Sequence, residues 1–404
     1  MNERKNIILA VVVASLGYFV DIYDLLLFSI VRVNSLKGIG IINEEDILNH
    51  GLYLLNMQML GMLLGGIFWG ILGDKKGRLS VLFGSIFLYS IANILNGLVQ
   101  TVEQYSLLRL IAGIGLAGEL GAGITLVSEL MSKESRGYGT TIVATIGILG
   151  AVVGAFVGKL FDWRTAYFIG GIMGLFLLLL RVGLLESNIF SSLKETSIQR
   201  GNFFQLFQNK EIFFRYLNCI LIGLPIWFVV GILITFSPEF GKEFGMENLP
   251  IAGESVKYCY IGLSIGDLSS GLLSQKIKSR KKAVGIFIIL TAISILLYFT
   301  FANISLEIFY TICLVLGFSI GYWAVFVTIS AENFGTNLRA TVTTSVPNFI
   351  RGSVVPITIV FQELKSIYTL STSAMIVGFS TILISLISLS ALKETYGKDL
   401  NYVE

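Results

Sequence analysis

An all-α membrane protein of twelve transmembrane helices, arranged as two pseudo-symmetric six-helix bundles, is the fold class this sequence predicts, on three observations. The 404-residue chain is 54% hydrophobic and only 14% charged, against about a quarter charged in soluble domains. Apolar stretches of the length that crosses a bilayer, about 20 residues each, recur from end to end between short charged segments. And one stretch returns: "GELGAGITLVSELMSKESRG" (118–137) aligns without gaps on "GYWAVFVTISAENFGTNLRA" (321–340), bringing Gly118 onto Gly321, Glu129 onto Glu332 and Arg136 onto Arg339. Three matched pairs at equivalent places in two sets of spans point to a duplicated six-span unit.

Taken in order, the spans fall near residues 7–32, 52–72, 80–100, 105–128, 138–160 and 164–184, then 214–236, 255–275, 283–302, 305–330, 340–362 and 367–391. The first run is too long for a signal-peptide core and has no small-residue cleavage site, so it stays a span. The longest polar stretch divides the chain into an N-terminal bundle (1–186), a cytoplasmic linker with a short interfacial helix (187–213) and a C-terminal bundle with a short tail (214–404). Charge bias sets the orientation. With both termini cytoplasmic, 20 of the 29 Lys and Arg lie on the cytoplasmic side and seven outside, while Arg109 and Arg351 fall within spans.

A net charge of +3 with no basic stripe gives no argument for nucleic acid, and none is expected as a partner. Cys219, Cys259 and Cys313 sit in apolar runs without paired spacing, and His50 sits in a polar loop. Neither a metal-ligand cluster, a nucleophile triad nor a phosphate-binding loop is present, which argues against an enzyme and against any cofactor. The partners expected are the bilayer, a small molecule and protons.

Several stretches resemble the major facilitator superfamily. "GILGDKKGR" (70–78) resembles its loop signature G-x-x-x-D-R/K-x-G-R, departing afterwards at Leu79; "RLIAGIG" (109–115) resembles R-x-x-x-G-x-G. "WRTAYFIGG" (163–171) and "LKETYGKDL" (392–400) resemble elements of its metabolite:proton, sugar and organic-ion branches, so the resemblance covers the whole chain. The glycine-rich fifth span, "GILGAVVGAFVG" (147–158), lacks the Gly-Pro pair of the drug–proton antiporters. What the resemblance implies is a secondary transporter, a functional monomer, that rocks two bundles around a midplane site.

The residues that would carry the chemistry are ionisable groups inside spans, which are expensive in lipid and functional by default. Asp21 and Asp24, three apart in "GYFVDIYDLLLFS" (17–29), share one helix face, with Asp24 about 4–5 Å further along. Held out of water beside a like charge, such a carboxylate can exchange a proton with a cavity; a similar pair is seen in the aromatic acid:proton symporter branch. Glu119 in "AGELGAG" resembles the metabolite:proton pattern, and for Arg109 the resemblance implies proton coupling or helix packing. Arg351 lies between two prolines in "PNFIRGSVVP" (347–356), a context resembling organic-anion carriers. Its planar fork suits a carboxylate or phosphate; the alternative is an ion pair with Asp21, Asp24 or Asp267.

Asn348 shares the Arg351 face, Asp267 is placed to touch a ligand or balance an arginine, and Tyr23, Trp227, Tyr322 and Trp323 could line the cavity with polar edges. Asp74, Arg78, Glu129, Arg136, Glu332 and Arg339 are expected to form ion pairs across the cytoplasmic helix ends, a gate that opens and closes. The function expected is proton-coupled uptake of a small polar metabolite bearing a carboxylate, an organic acid or amino acid, across a bacterial inner membrane. An exporter or antiporter, a carrier of sugars or organic cations, and a channel or sensor on the same fold are the alternatives. Substrate identity, direction of flux and proton stoichiometry are not legible.

Overall fold

The computed structural model describes residues 3–131, 136–180 and 203–398. In the first half α1 (Glu3–Gly38), α2 (Glu44–Lys76), α3 (Arg78–Asn96), α6 (Arg136–Leu160) and α7 (Trp163–Leu180) each cross as one helix, while the fourth span is split into α4 (Val102–Leu116) and α5 (Glu119–Leu130). In the second half α8 (Gln205–Gln208) precedes a seventh span built from α9 (Lys210–Leu221), α10 (Leu224–Phe228), a π-helical turn (Val229–Ile234) and α11 (Ser237–Glu243). Then come α12 (Ala252–Lys276), α13 (Arg280–Phe301), a split tenth span of α14 (Leu306–Ser319) and α15 (Trp323–Glu332), a split eleventh of α16 (Thr336–Gly352) and α17 (Val354–Lys365), and α18 (Leu370–Ala391).

Short polar connections end the helices where they supply caps. Asn43, Thr101, Ser279, Ser305 and Thr369 each accept from a backbone N–H two or three residues on. Two expectations shift here. α1 continues one and a half turns beyond the expected end of its span, so Arg32 is inside the bundle rather than in an outer loop, and α2 starts early enough to take in His50. Among the described residues, ten helical segments are long and apolar enough to cross a membrane. The expected eighth and eleventh spans are helical but more polar, because they carry Glu254, Lys257 and Asp267, or Arg351 with prolines; each packs one face against the other half. Lipid-facing positions are apolar, as at Leu64, Phe87, Leu149, Phe176, Leu272 and Leu383, all exposed.

The breaks in the fourth and tenth spans fall at Gly118 and Gly321, the residues the internal repeat superposes. Within each half, helices meet through glycine. A Cβ on Gly317 of α14 would overlap the Cys259 carbonyl of α12, leaving neither backbone room to move. Gly317→Ala is therefore expected to cost about 1–3 kcal/mol, read as a lowered Tm of the solubilised protein; a wild-type Tm would contradict this packing.

At the face carrying both chain ends, the segment after α18 folds back onto the α12–α13 turn. Glu394 accepts from the Ser279 hydroxyl and from the backbone of Arg280, and Thr395 donates to Glu332 at 2.7 Å. Burial pushes the Glu394 carboxyl up, but the Ser279 hydroxyl and the N–H groups of Tyr396, Arg280 and Thr395 outweigh that and hold it at about 2.

Candidate functional site

The halves meet along α1, α2, α5 and α6 on one side and α12, α16 and α17 on the other, with the seventh span joined to α1 by polar contacts. Between them is a small cavity of about 30 Å³, lined by Tyr18 and Ile22 of α1, Ile148 of α6, Ile226, Trp227 and Val230 of the seventh span, Tyr260 and Leu263 of α12, Trp323 and Arg351. Among the described residues its wall is apolar and aromatic with one fixed cation, the lining chemistry of a small-molecule site.

Arg351 is buried, and its Cζ lies 5.7 Å from the centre of the Trp323 ring and 6.0 Å from that of Trp227. A guanidinium against two indole faces is held by cation–π attraction as well as by packing. Both indole Nε1 atoms are buried without an acceptor. Across the halves, Asp21 Oδ2 stands 3.9 Å from Arg351 Nη2, an ion pair without a close hydrogen bond. The Tyr18 hydroxyl approaches the same arginine, and Glu119, at the start of α5 and buried, is close enough to Asp21 for their charges to interact.

Asp24 goes elsewhere. Its carboxylate packs against Gly170 of α7 within the first half, beside Arg109 and Asn93, so the two aspartates serve different neighbourhoods. Arg109 sits 5.1 Å from the Phe28 ring centre and 5.9 Å from that of Tyr167. Tyr167 shares a 2.6 Å hydrogen bond with Tyr105, which donates to Ser35. Buried polar atoms of Asp24, Arg109, Asn93 and Asn96 lack close partners, so this part of the first half is polar.

Other expected site residues are placed away from the cavity wall. The Tyr23 hydroxyl donates to the Ala166 carbonyl, and Tyr322 donates to Ile222. Asn348 donates across the halves to the Ala117 carbonyl at 2.8 Å and accepts from Arg351 at 3.4 Å, bridging the fourth and eleventh spans. Asp267 caps α15 through the Ala324 N–H at 2.8 Å. Of the expected gate, Glu332 pairs with Arg280 at 3.5 Å. The side chains of Asp74, Arg78, Glu129, Arg136 and Arg339 lie outside the described residues, as does 187–202 of the linker.

The structure adds a latch that the charge count had treated as outer-loop charge. At the face opposite the chain ends, Arg32 pairs with Glu239 of α11 at 2.7 Å, donates to the Thr235 carbonyl and lies 4.4 Å from the Phe236 ring centre. Thr235 donates to Ser29, and the ion pairs Lys159–Glu254 and Lys242–Glu44 join the same rims. The signal for Arg32 was its spacing: eight residues after Asp24, a little over two helical turns.

Comparison with known proteins agrees with this architecture. The model of the Major Facilitator Superfamily matches residues 16–358. The chain is 25% identical over 362 residues to the niacin transporter of Acinetobacter baylyi, covering 81% of this chain and 80% of that one. It is 27% identical over 230 residues to the 3-(3-hydroxy-phenyl)propionate transporter of Escherichia coli, covering 56% of each. Among solved structures, a D-xylose-proton symporter superposes with a TM-score of 0.74 at 19% identity, over 98% of this chain and all of that one, a likeness of fold.

Proposed function

We propose, from the premise that this chain belongs to the Major Facilitator Superfamily of membrane transporters and is not an enzyme, that it takes up a small aromatic carboxylate together with a proton. The observation that carries this reading is the Arg351–Asp21 pair across the halves, facing a cavity walled by two tryptophans. A substrate carboxylate would take the Arg351 fork bidentately, and its ring would lie against Trp227 and Trp323, whose N–H groups offer donors to acceptors on the ligand. The niacin and hydroxyphenylpropionate named for the two relatives have this chemistry. A sugar would need many polar contacts, and Ile22, Ile148, Ile226, Val230 and Leu263 offer none.

Proton coupling follows from charge balance. When a substrate anion takes Arg351, Asp21 is left as a buried, unpaired charge, a cost of about 3–5 kcal/mol. A proton on Asp21 removes that cost, so anion and proton bind best together, each favouring the other by linkage. Asp24 and Arg109 form the adjoining pair through which a proton could approach. The Arg32–Glu239 latch closes the face opposite the chain ends, which the positive-inside bias makes the outer face. Rocking of the halves would break it and reform contacts at the cytoplasmic side, driven by the proton gradient. The setting is a bacterial inner membrane with both termini cytoplasmic, and the working unit a monomer.

A thermal-shift panel on the purified protein tests the substrate class. At 100 times its dissociation constant a ligand stabilises by about 2.7 kcal/mol, so niacin and 3-(3-hydroxyphenyl)propionate are expected to raise Tm, and D-xylose and betaine to leave it unchanged. Stabilisation by D-xylose or betaine alone would overturn the aromatic-carboxylate reading.

A further inference from the structure

The tenth span is broken between Ser319 and Trp323, and the break leaves the first N–H groups of α15 without partners of their own. Its N-cap residue, Tyr322, supplies no side-chain cap; the hydroxyl runs instead to the Ile222 carbonyl. The acceptor comes from another helix. Asp267 of α12, 7% exposed, reaches in and accepts from the N–H of Ala324 at 2.8 Å and from that of Trp323. A carboxylate at a helix N-terminus is stabilised by the aligned peptide dipoles and by the donors it satisfies.

The approach depends on a residue without a side chain. A Cβ on Gly321 would stand 2.6 Å from the Gly266 Cα and the Asp267 nitrogen, so anything larger than glycine pushes α12 and the break apart. The first residue of α15 is Trp323, whose ring lies 5.7 Å from Arg351 at the cavity wall and 5.5 Å from the Phe326 ring. The backbone that aims this indole is therefore fixed by the two hydrogen bonds to Asp267.

We propose that Asp267 is a positioning residue: it caps the broken tenth span across the gap closed by Gly321 and so aims Trp323 at the ligand beside Arg351, without meeting the ligand itself. The inference rests on the cavity being the ligand site, as proposed above. It requires an acceptor at Asp267, not a negative charge. An asparagine presents the same oxygen to the same N–H groups; an alanine leaves buried donors unsatisfied.

The test compares Asp267→Asn with Asp267→Ala in two readouts, niacin uptake by proteoliposomes and 19F NMR of protein labelled with 5-fluorotryptophan, the Trp323 signal being assigned with Trp323→Phe. The asparagine variant is expected to keep the wild-type KM within about twofold and the wild-type pH profile. The alanine variant is expected to raise KM about tenfold with kcat little changed, as misplacement of a contact residue does. In alanine the Trp323 signal should also shift or broaden before any ligand is added. If the alanine variant does not fold, Gly321→Ala, which wedges the same contact, is expected to move the same signal. Loss of uptake in Asp267→Asn would mean the charge itself acts on ligand or proton and would overturn the proposal. So would an unmoved Trp323 signal in Asp267→Ala or Gly321→Ala. A wild type that does not transport niacin would defeat the function proposed above, while the ligand-free signal would still decide the positioning.

Discussion

Arg351→Ala should lose niacin affinity by about 10²–10³-fold, the effect of removing one member of a buried charge pair, about 3–4 kcal/mol. The loss has two sources. The carboxylate loses the cation of the described cavity lining, and Asp21, its charge no longer balanced by the partner 3.9 Å away, repels the incoming anion. Arg351→Lys should recover little, since an ammonium cannot present two parallel N–H groups or spread against the faces of Trp227 and Trp323. Isothermal calorimetry in detergent measures this directly; wild-type affinity in Arg351→Ala would show that the anion binds elsewhere.

Asp21→Asn should act in the opposite sense on binding and abolish coupling. The amide resembles the protonated carboxyl, frees Arg351 from its competitor and takes no proton. Niacin should bind about tenfold more tightly than to wild type at alkaline pH, ~1.4 kcal/mol, with the pH dependence of binding flattened. Exchange of internal for external niacin should persist, because loading and reorientation remain possible, while uphill accumulation in an acid-outside gradient should vanish. Weaker binding in Asp21→Asn, with its pH dependence intact, would place the coupling proton on another group.

The spans, their pairing into two halves and the buried charges were legible in the sequence because hydropathy and the cost of charge in lipid are local properties. The breaks at Gly118 and Gly321 were foreshadowed by the internal repeat. The direction of each side chain was not legible. Asp21 and Asp24 look like one face, but three residues leave them about 60° apart around the helix. That is enough to send Asp21 across to Arg351 and Asp24 inward to Gly170 and Arg109. Asp267 reads in the sequence as placed to touch a ligand or balance an arginine, and nothing local reveals that a helix start 57 residues further on takes its oxygen. Arg32 was hidden by the extra length of α1, since a charge near a span end reads equally as loop or as latch.

The central claim is that one carboxylate, Asp21, ties the proton to the anion at Arg351. Proteoliposomes holding an internal pH dye, given niacin outside under an acid-outside gradient, test it most directly, with protein-free liposomes to subtract passive permeation of the neutral acid. The account predicts niacin accumulation with matching acidification of the lumen in wild type, both lost in Asp21→Asn while exchange continues. Niacin accumulation without proton movement in wild type, or undiminished accumulation in Asp21→Asn, would contradict it.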